Sequence, residues 1–153
     1  MPLVCFYYVT LKCNCKCEFC NIWQDKENFK LKEQSLAEIA NNLRDLKKLH
    51  VKLIDFTGGE PLLYPNLIEA LKLAKKKGFR TTITTNCLLY PKYARALKGL
   101  VDLLAISLDS TDEEKHNKIR GVKTFDKVID TIKLAKQIKQ KLYIIHTVTE
   151  DNY

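Results

Sequence analysis

Five short apolar runs alternate along this chain with stretches of helical periodicity, and that alternation limits the possible folds more than any other feature. The runs are Val4 to Leu11, Val51 to Phe56, Phe79 to Thr84, Val101 to Leu108 and Leu142 to Val148. Their spacing, roughly thirty residues, is the size of a βα unit. The first helix opens on Ser35-x-x-Glu38, a capping box, and carries Leu36, Ile39, Leu43, Leu46 and Leu49 on one face. A second starts near Asn66, with Leu67, Leu71 and Ala74 on one side, and stops at Gly78. A short third spans Pro91 to Leu97, with Pro91 suited to a first turn. The last runs from about Phe125 to Lys139, with Phe125, Val128, Ile129, Ile132 and Ala135 inward. Strand–helix alternation implies parallel strands joined by right-handed crossovers. The near-continuous run Val101 to Leu108 suits a strand covered on both faces. The expected class is α/β, with five strands and four main helices. Residues 1–153 form at most one ordinary domain, large enough to bury a core.

Directly after the first strand comes Cys13-Asn14-Cys15-Lys16-Cys17-Glu18-Phe19-Cys20. Cys13, Cys17 and Cys20 are spaced C-x3-C-x2-C. Three thiolates this close can hold a metal centre, and soft sulfur selects an iron–sulfur cluster, zinc or Cu(I). Three thiolates on a four-iron cluster leave one iron open for chemistry. Such crowding does not look like a disulfide framework; in a reducing compartment it argues for metal.

Other polar residues fall at strand C-termini, where parallel α/β folds bind ligands. Thr57-Gly58-Gly59-Glu60-Pro61 follows strand two, Thr85-Asn86 closes strand three, and Ser107 and Asp109 close strand four. The paired glycines let backbone approach a ligand closely, and Glu60 offers a negative acceptor fit for an ammonium group. By itself, Gly-Gly-Glu reads as a turn; its place after a buried strand, in a chain with the cysteine motif, favours a site.

At these residues the chain resembles the radical S-adenosylmethionine (SAM) superfamily. Cys13, Cys17 and Cys20 match its cluster motif, with Phe19 as the aromatic residue before the third cysteine. Thr57 to Pro61 matches its Gly-Gly-Glu element, Ile106-Ser107-Leu108-Asp109 its strand-four element, and His116 to Gly121 the segment that follows. The resemblance leans to the branch with molybdenum-cofactor biosynthesis enzymes and peptide-modifying maturases. It implies a partial (β/α) barrel, a [4Fe–4S] cluster on Cys13, Cys17 and Cys20, and SAM on the fourth iron. Gly58, Gly59 and Glu60 would hold the methionyl amine. Ser107 and Arg120 would take its carboxylate, a guanidinium matching a carboxylate fork. Thr85, Asn86 and Asp109 are candidates for the ribose or methionine part, and Phe19 would pack near the adenine. The implied activity is that of a metal-binding oxidoreductase: reductive SAM cleavage to a 5′-deoxyadenosyl radical that takes hydrogen from an unknown small molecule or peptide. The implied partner is a one-electron donor such as flavodoxin or ferredoxin.

The remaining candidates have plainer readings. Cys15 is out of register and reads as a small buried residue, and Cys5 as core packing. Cys87 stands where the family commonly has glycine, with no neighbour that marks it as reactive. His50, His146 and His116 lack partners for a metal site. Trp23, with Tyr7 and Tyr8, reads as packing; Trp23 could also cover the cysteine loop. Residues 112–121 read as a charged loop with an acidic helix start at Asp112-Glu113-Glu114.

The net charge of +8 comes largely from lysines at helix-like polar positions, without interleaved aromatics, so solvated faces are expected rather than a nucleic-acid surface. The apolar start, Leu3 to Leu11, does not read as a secretory leader, and no run approaches the ~18 residues of a membrane span. Cytoplasm is the expected location. Two competing readings stand beside the enzyme. One is a zinc or iron–sulfur electron-transfer module using Cys13, Cys15, Cys17 and Cys20. The other is an inactive fragment: the family barrel usually has about six βα units, so a sixth strand is expected from a C-terminal segment or a partner chain. A sheet ending on strand five would leave an exposed edge.

Overall fold

A computed structural model describes residues 3–150 and 152–153. It has five parallel strands, β1 (Val4–Thr10), β2 (Leu53–Gly58), β3 (Arg80–Thr85), β4 (Leu103–Ser107) and β5 (Leu142–Ile145), in one sheet of sequential order. The helices are α1 (Leu36–Lys48), α2 (Leu67–Lys76), α3 (Tyr90–Leu97), α4 (Glu113–Arg120) and α5 (Phe125–Gln137). Sequential order with crossovers of one hand puts the helices on one face, as in a partial (β/α) barrel. Tyr7, Val9, Ile54, Phe56, Ile83, Leu104 and Ile106 point to that face and share a core with Ile39 and Leu43 of α1, Leu71 of α2, Leu97 of α3 and Val128 of α5. No helix among the described residues is long and apolar enough to cross a membrane.

The helix–strand joints explain why β2 and β3 start later than the apolar runs do. After α2, Gly78 (φ +78°) lets its own N–H reach the Lys75 carbonyl and the Phe79 N–H reach the Ala74 carbonyl. This Schellman closure uses the Phe79 donor before it can join the sheet. The same bonds close α1, with His50 (φ +62°) in the left-handed position and Val51 bonded to Leu46. They also close α5, with Lys139 (φ +57°) and Gln140. Val51 and Phe79 thus plug helix ends as buried residues outside the strands. Leu49, expected inward, caps α1 and is 56% exposed. At its N-terminus α1 has the expected capping box.

Two further elements differ from the sequence reading. β5 stops at Ile145, not Val148, because the Thr147 N–H bonds the Asp109 carboxylate at 3.0 Å. Residues 112–121 are not a loop. They form the two-turn helix α4, capped by the Asp112 side chain and closed by Gly121 in the left-handed conformation (φ +66°). Its apolar signal is a single residue, Ile119, which hides the helix from periodicity.

His116 locks α4 to the end of β4. It is fully buried; Nδ1 accepts from the Asp109 N–H at 3.2 Å, so the Nε2 proton is donated to Thr124 Oγ1 at 2.8 Å. Burial, helped by the Arg120 charge, pushes its pKa down to about 4. A neutral His116 contributes stability that is complete above the unfolded pKa of about 6.5 and is lost as pH falls toward the folded value. Urea unfolding between pH 7 and 4 should therefore show a decline that flattens in His116→Gln; an identical slope in both proteins would contradict the lock.

Candidate metal and cofactor site

The cysteine loop leaves β1 and crosses the C-terminal ends of its neighbours. Gly58 and Gly59 make that crossing possible. Thr10 and Lys12 carbonyls accept from the Gly59 and Glu60 N–H groups at 2.9 and 2.8 Å. A Cβ on Gly58 would stand 2.0 Å from the Thr10 oxygen, and one on Gly59 2.2 Å from that of Lys12. The glycines, expected to admit a ligand, first admit the chain's own backbone.

The far side of the loop rests on α4. Lys16 N–H donates to the Arg120 carbonyl and Glu18 N–H to that of Ile119, both at 3.0 Å. These are last-turn carbonyls that the helix itself leaves unpaired. A Cβ on Gly121 would lie 2.4 Å from the Lys16 oxygen, so this residue is confined by contact as well as by conformation. Asn14 Oδ1 accepts from Asn86 Nδ2 at 2.7 Å, and Trp23 Nε1 donates to the Cys17 carbonyl at 2.9 Å. In the sequence Gly121 stands only as the end of the charged segment, without a role of its own, and Asn14 has none. Gly121 carried a signal, as a glycine just past a polar helix; Asn14 carried none.

Cys13, Cys17 and Cys20, and Cys15 between them, open on one cavity of about 150 Å³ together with Phe19, Gly58, Gly59, Thr85, Asn86, Ser107 and Arg120. A larger depression, about 590 Å³, lies at the opposite strand ends beside Arg80, Lys98 and Asp102. It holds none of these residues, and parallel sheets bind ligands at the other end.

Arg120 organises the cavity wall. Nε meets Asp109 Oδ2 at 2.6 Å in an ion pair too bent for a regular hydrogen bond. Nη1 donates to Cys17 Sγ at 3.5 Å, and the guanidinium lies 5.6 Å over the Phe19 ring. A hydrogen bond from Cys15, aided by the Arg120 charge, pulls the Cys17 thiol down to about 6. The Cys15 bond pulls Cys13 to about 7, and Cys15 itself is buried and pushed up. Cys15 N–H also donates to Cys13 Sγ at 3.4 Å.

Two expected ligands face inward. Glu60 is fully buried and does not line the cavity. Its Oε1 accepts from Leu62 N–H (3.1 Å) and Thr85 Oγ1 (2.9 Å), and Oε2 from Asn86 N–H (2.8 Å). Burial lifts its pKa to about 7 against those bonds. Asp109 is also fully buried, between Arg120 and Thr147. Both carboxylates tie strand ends together. Thr85 and Asn86 reach the cavity, although their side chains are already bonded to Glu60 and Asn14. Ser107 lines it as expected. Cys87 is buried at φ +70°, the conformation glycine supplies freely, with a thiol pushed up to about 12 by burial.

Parallel strands that gather three cysteines, a glycine pair and a buried arginine at their C-terminal ends define a partial-barrel metalloprotein with an adjoining ligand cavity. The chain belongs to the radical SAM superfamily, whose profile matches residues 7–153. It is 35% identical over 131 residues to a probable GTP 3′,8-cyclase of Saccharolobus islandicus, covering 83% of this chain and 41% of that protein. A similarly named protein of Archaeoglobus fulgidus is 34% identical over 131 residues, covering 85% and 43%. The fold matches Streptococcus suis SuiB bound to S-adenosylmethionine at a TM-score of 0.85 and 24% identity, over 97% of this chain and 35% of that one. It matches methylornithine synthase at 0.76 and 23%, over 94% and 44%. The chain therefore spans about two fifths of the relatives it matches.

This is a family of enzymes, and its cofactors are a [4Fe–4S] cluster and SAM. The donor set fits. Among the described residues no three His, Cys, Asp or Glu side chains close on a single-ion position. Four cysteines, Cys13, Cys15, Cys17 and Cys20, line one cavity, and thiolates are the ligands that iron–sulfur clusters take.

Replacing Glu60 with Gln sets an amide NH2 against one of three buried donors. The variant is expected to lose about 1–3 kcal/mol in urea unfolding. Unchanged stability would show that Glu60 is not the tie between β2 and β3.

Proposed function

We propose that residues 1–153 form the core domain of a radical SAM enzyme, a part of a longer catalytic unit. The reading is carried by one observation: Cys13, Cys17, Cys20, Gly58, Gly59, Ser107 and Arg120 meet around a single cavity at the strand C-termini. Cys13, Cys17 and Cys20 would each ligate one iron. Bound together, the cluster and SAM supply one-electron cleavage of the sulfonium and a radical that abstracts hydrogen from substrate.

The protein's share is geometry. Backbone groups of Gly58 and Gly59 hold the amino end of SAM, with the Glu60 carboxylate setting their position through β3. Ser107 and Arg120 hold its carboxylate. Asp109 aims Arg120 in a buried place, where a fixed guanidinium is worth more than in water. Thr85 and Asn86 shape the wall toward the ribose, and Phe19 offers a ring face for the adenine. The electron comes from a flavodoxin- or ferredoxin-type donor, and the setting is the cytoplasm. The relatives' name raises a nucleotide as one substrate class, and the likeness to SuiB leaves a peptide as another.

Anaerobic reconstitution tests the assignment. The wild-type chain should take up iron, show broad brown charge-transfer absorption and, with dithionite, release 5′-deoxyadenosine from SAM. Cys17→Ala should abolish the absorption and Cys15→Ala retain it. Equal loss in both would overturn the ligand set. A cluster that assembles without SAM cleavage would favour the electron-transfer module or inactive fragment, and a colourless zinc protein would defeat the reading.

A further inference from the structure

One buried charge is left over by the cofactor site. Asp55 lies in the middle of β2 between Ile54 and Phe56, both wholly buried in the core. Strand alternation turns Asp55 to the other, inner face of the sheet. Its register neighbours are Phe6 on β1 and Thr82 on β3. The residue is only 4% exposed. Oδ2 accepts from Thr84 Oγ1 at 2.7 Å, but Oδ1 is buried and no described residue donates to it. A buried carboxylate oxygen without a partner is costly and calls for a partner from outside the chain, such as a water, an ion or a ligand group.

Its surroundings indicate which ligand. Thr84 and Thr57, on the same face, line the cofactor cavity. Asp55 sits two residues below Thr57, about 7 Å along the strand. Around it the inner face carries large aromatics with open surface: Phe6 68% exposed, Tyr8 54% and Tyr143 40%. The Tyr143 phenol is pushed up by burial and by the Asp55 charge. A carboxylate among aromatic rings is the combination that receives an organic cation, through ion pairing and ring faces. A phosphate set there would meet like charge.

We propose that Asp55 is a substrate-recognition residue of the inner face, and that the substrate presents a protonated amino or guanidino group to Oδ1. This rests on the radical SAM reading, whose cofactor cavity opens onto that face at Thr57 and Thr84. Thr84 holds the carboxylate in position through Oδ2, and the aromatic side chains cover the apolar part of the substrate.

The test uses the full chain with its cluster and SAM. n-Butylammonium and butyl phosphate are titrated separately under anaerobic conditions by calorimetry, into wild type and Asp55→Asn. Butylammonium should bind wild type at least about tenfold more tightly than the variant, a difference of about 1.4 kcal/mol. Butyl phosphate should bind neither. Asn keeps an acceptor for Thr84 and removes the unpaired charge, so the variant should unfold in urea no more easily than wild type. Equal butylammonium binding in the two, none in wild type, phosphate binding as tight as ammonium, or a variant that fails to fold would each overturn the proposal. SAM affinity measured on the same wild-type sample separates the two readings, since a chain that takes butylammonium but not SAM fails the cofactor assignment and not this one.

Discussion

The C-terminal turn of α4 holds the cysteine loop in place through two backbone hydrogen bonds, Lys16 to Arg120 and Glu18 to Ile119. The loop between β1 and α1 has little regular structure, only the short 3-10 turn Lys26–Phe29. Its polar backbone groups must still be paired where they are buried. It is fastened to the glycine pair at the end of β2, to Asn86 after β3 and to the open carbonyls of α4. A helix end with unpaired carbonyls and a loop with unpaired N–H groups satisfy each other. The placement of three sulfurs therefore depends on a helix about a hundred residues later in the chain.

That helix is itself anchored by buried polar groups. His116 receives the Asp109 N–H, the Asp109 carboxylate takes Arg120 on one side and Thr147 on the other, and Arg120 reaches Cys17. Buried networks of this kind stabilise when every member is satisfied and cost heavily when one is missing. Glu60 does the equivalent work between β2 and β3. The chain thus separates two tasks. Fully buried acids and His116 fix the strand ends, while Cys13, Cys17, Cys20, Ser107, Phe19 and the glycine pair line the cavity.

Much of this was legible in the sequence because it depends on periodicity and short-range spacing. The five strands, the capping box at Ser35, the C-x3-C-x2-C cysteines and their meeting with Gly58, Gly59 and Ser107 at strand ends followed from pattern, while Arg120 entered through the family resemblance. What escaped was decided by contacts distant in the chain. His50 and Lys139 adopt left-handed conformations that nothing in their residue type announces. The polar helix α4 carries one apolar residue, and its purpose lies in its carbonyls, which the sequence does not display. Glu60 reads as a ligand because its motif places it at a strand tip; only the fold shows three donors already converging on it. Nothing in the sequence marks Asp55, because its unpaired oxygen depends on which face the register turns it to.

The central claim, that α4 positions the cysteine loop, is tested most directly by iron uptake in Gly121→Val. The substitution leaves every cysteine and every cavity side chain unchanged but forces a branched side chain into a left-handed position, with its Cβ 2.4 Å from the Lys16 oxygen. The account predicts a folded sheet by circular dichroism together with a marked loss of reconstituted iron and charge-transfer absorption. Iron uptake equal to wild type would show that the cysteine loop holds its shape without α4, and would contradict the account.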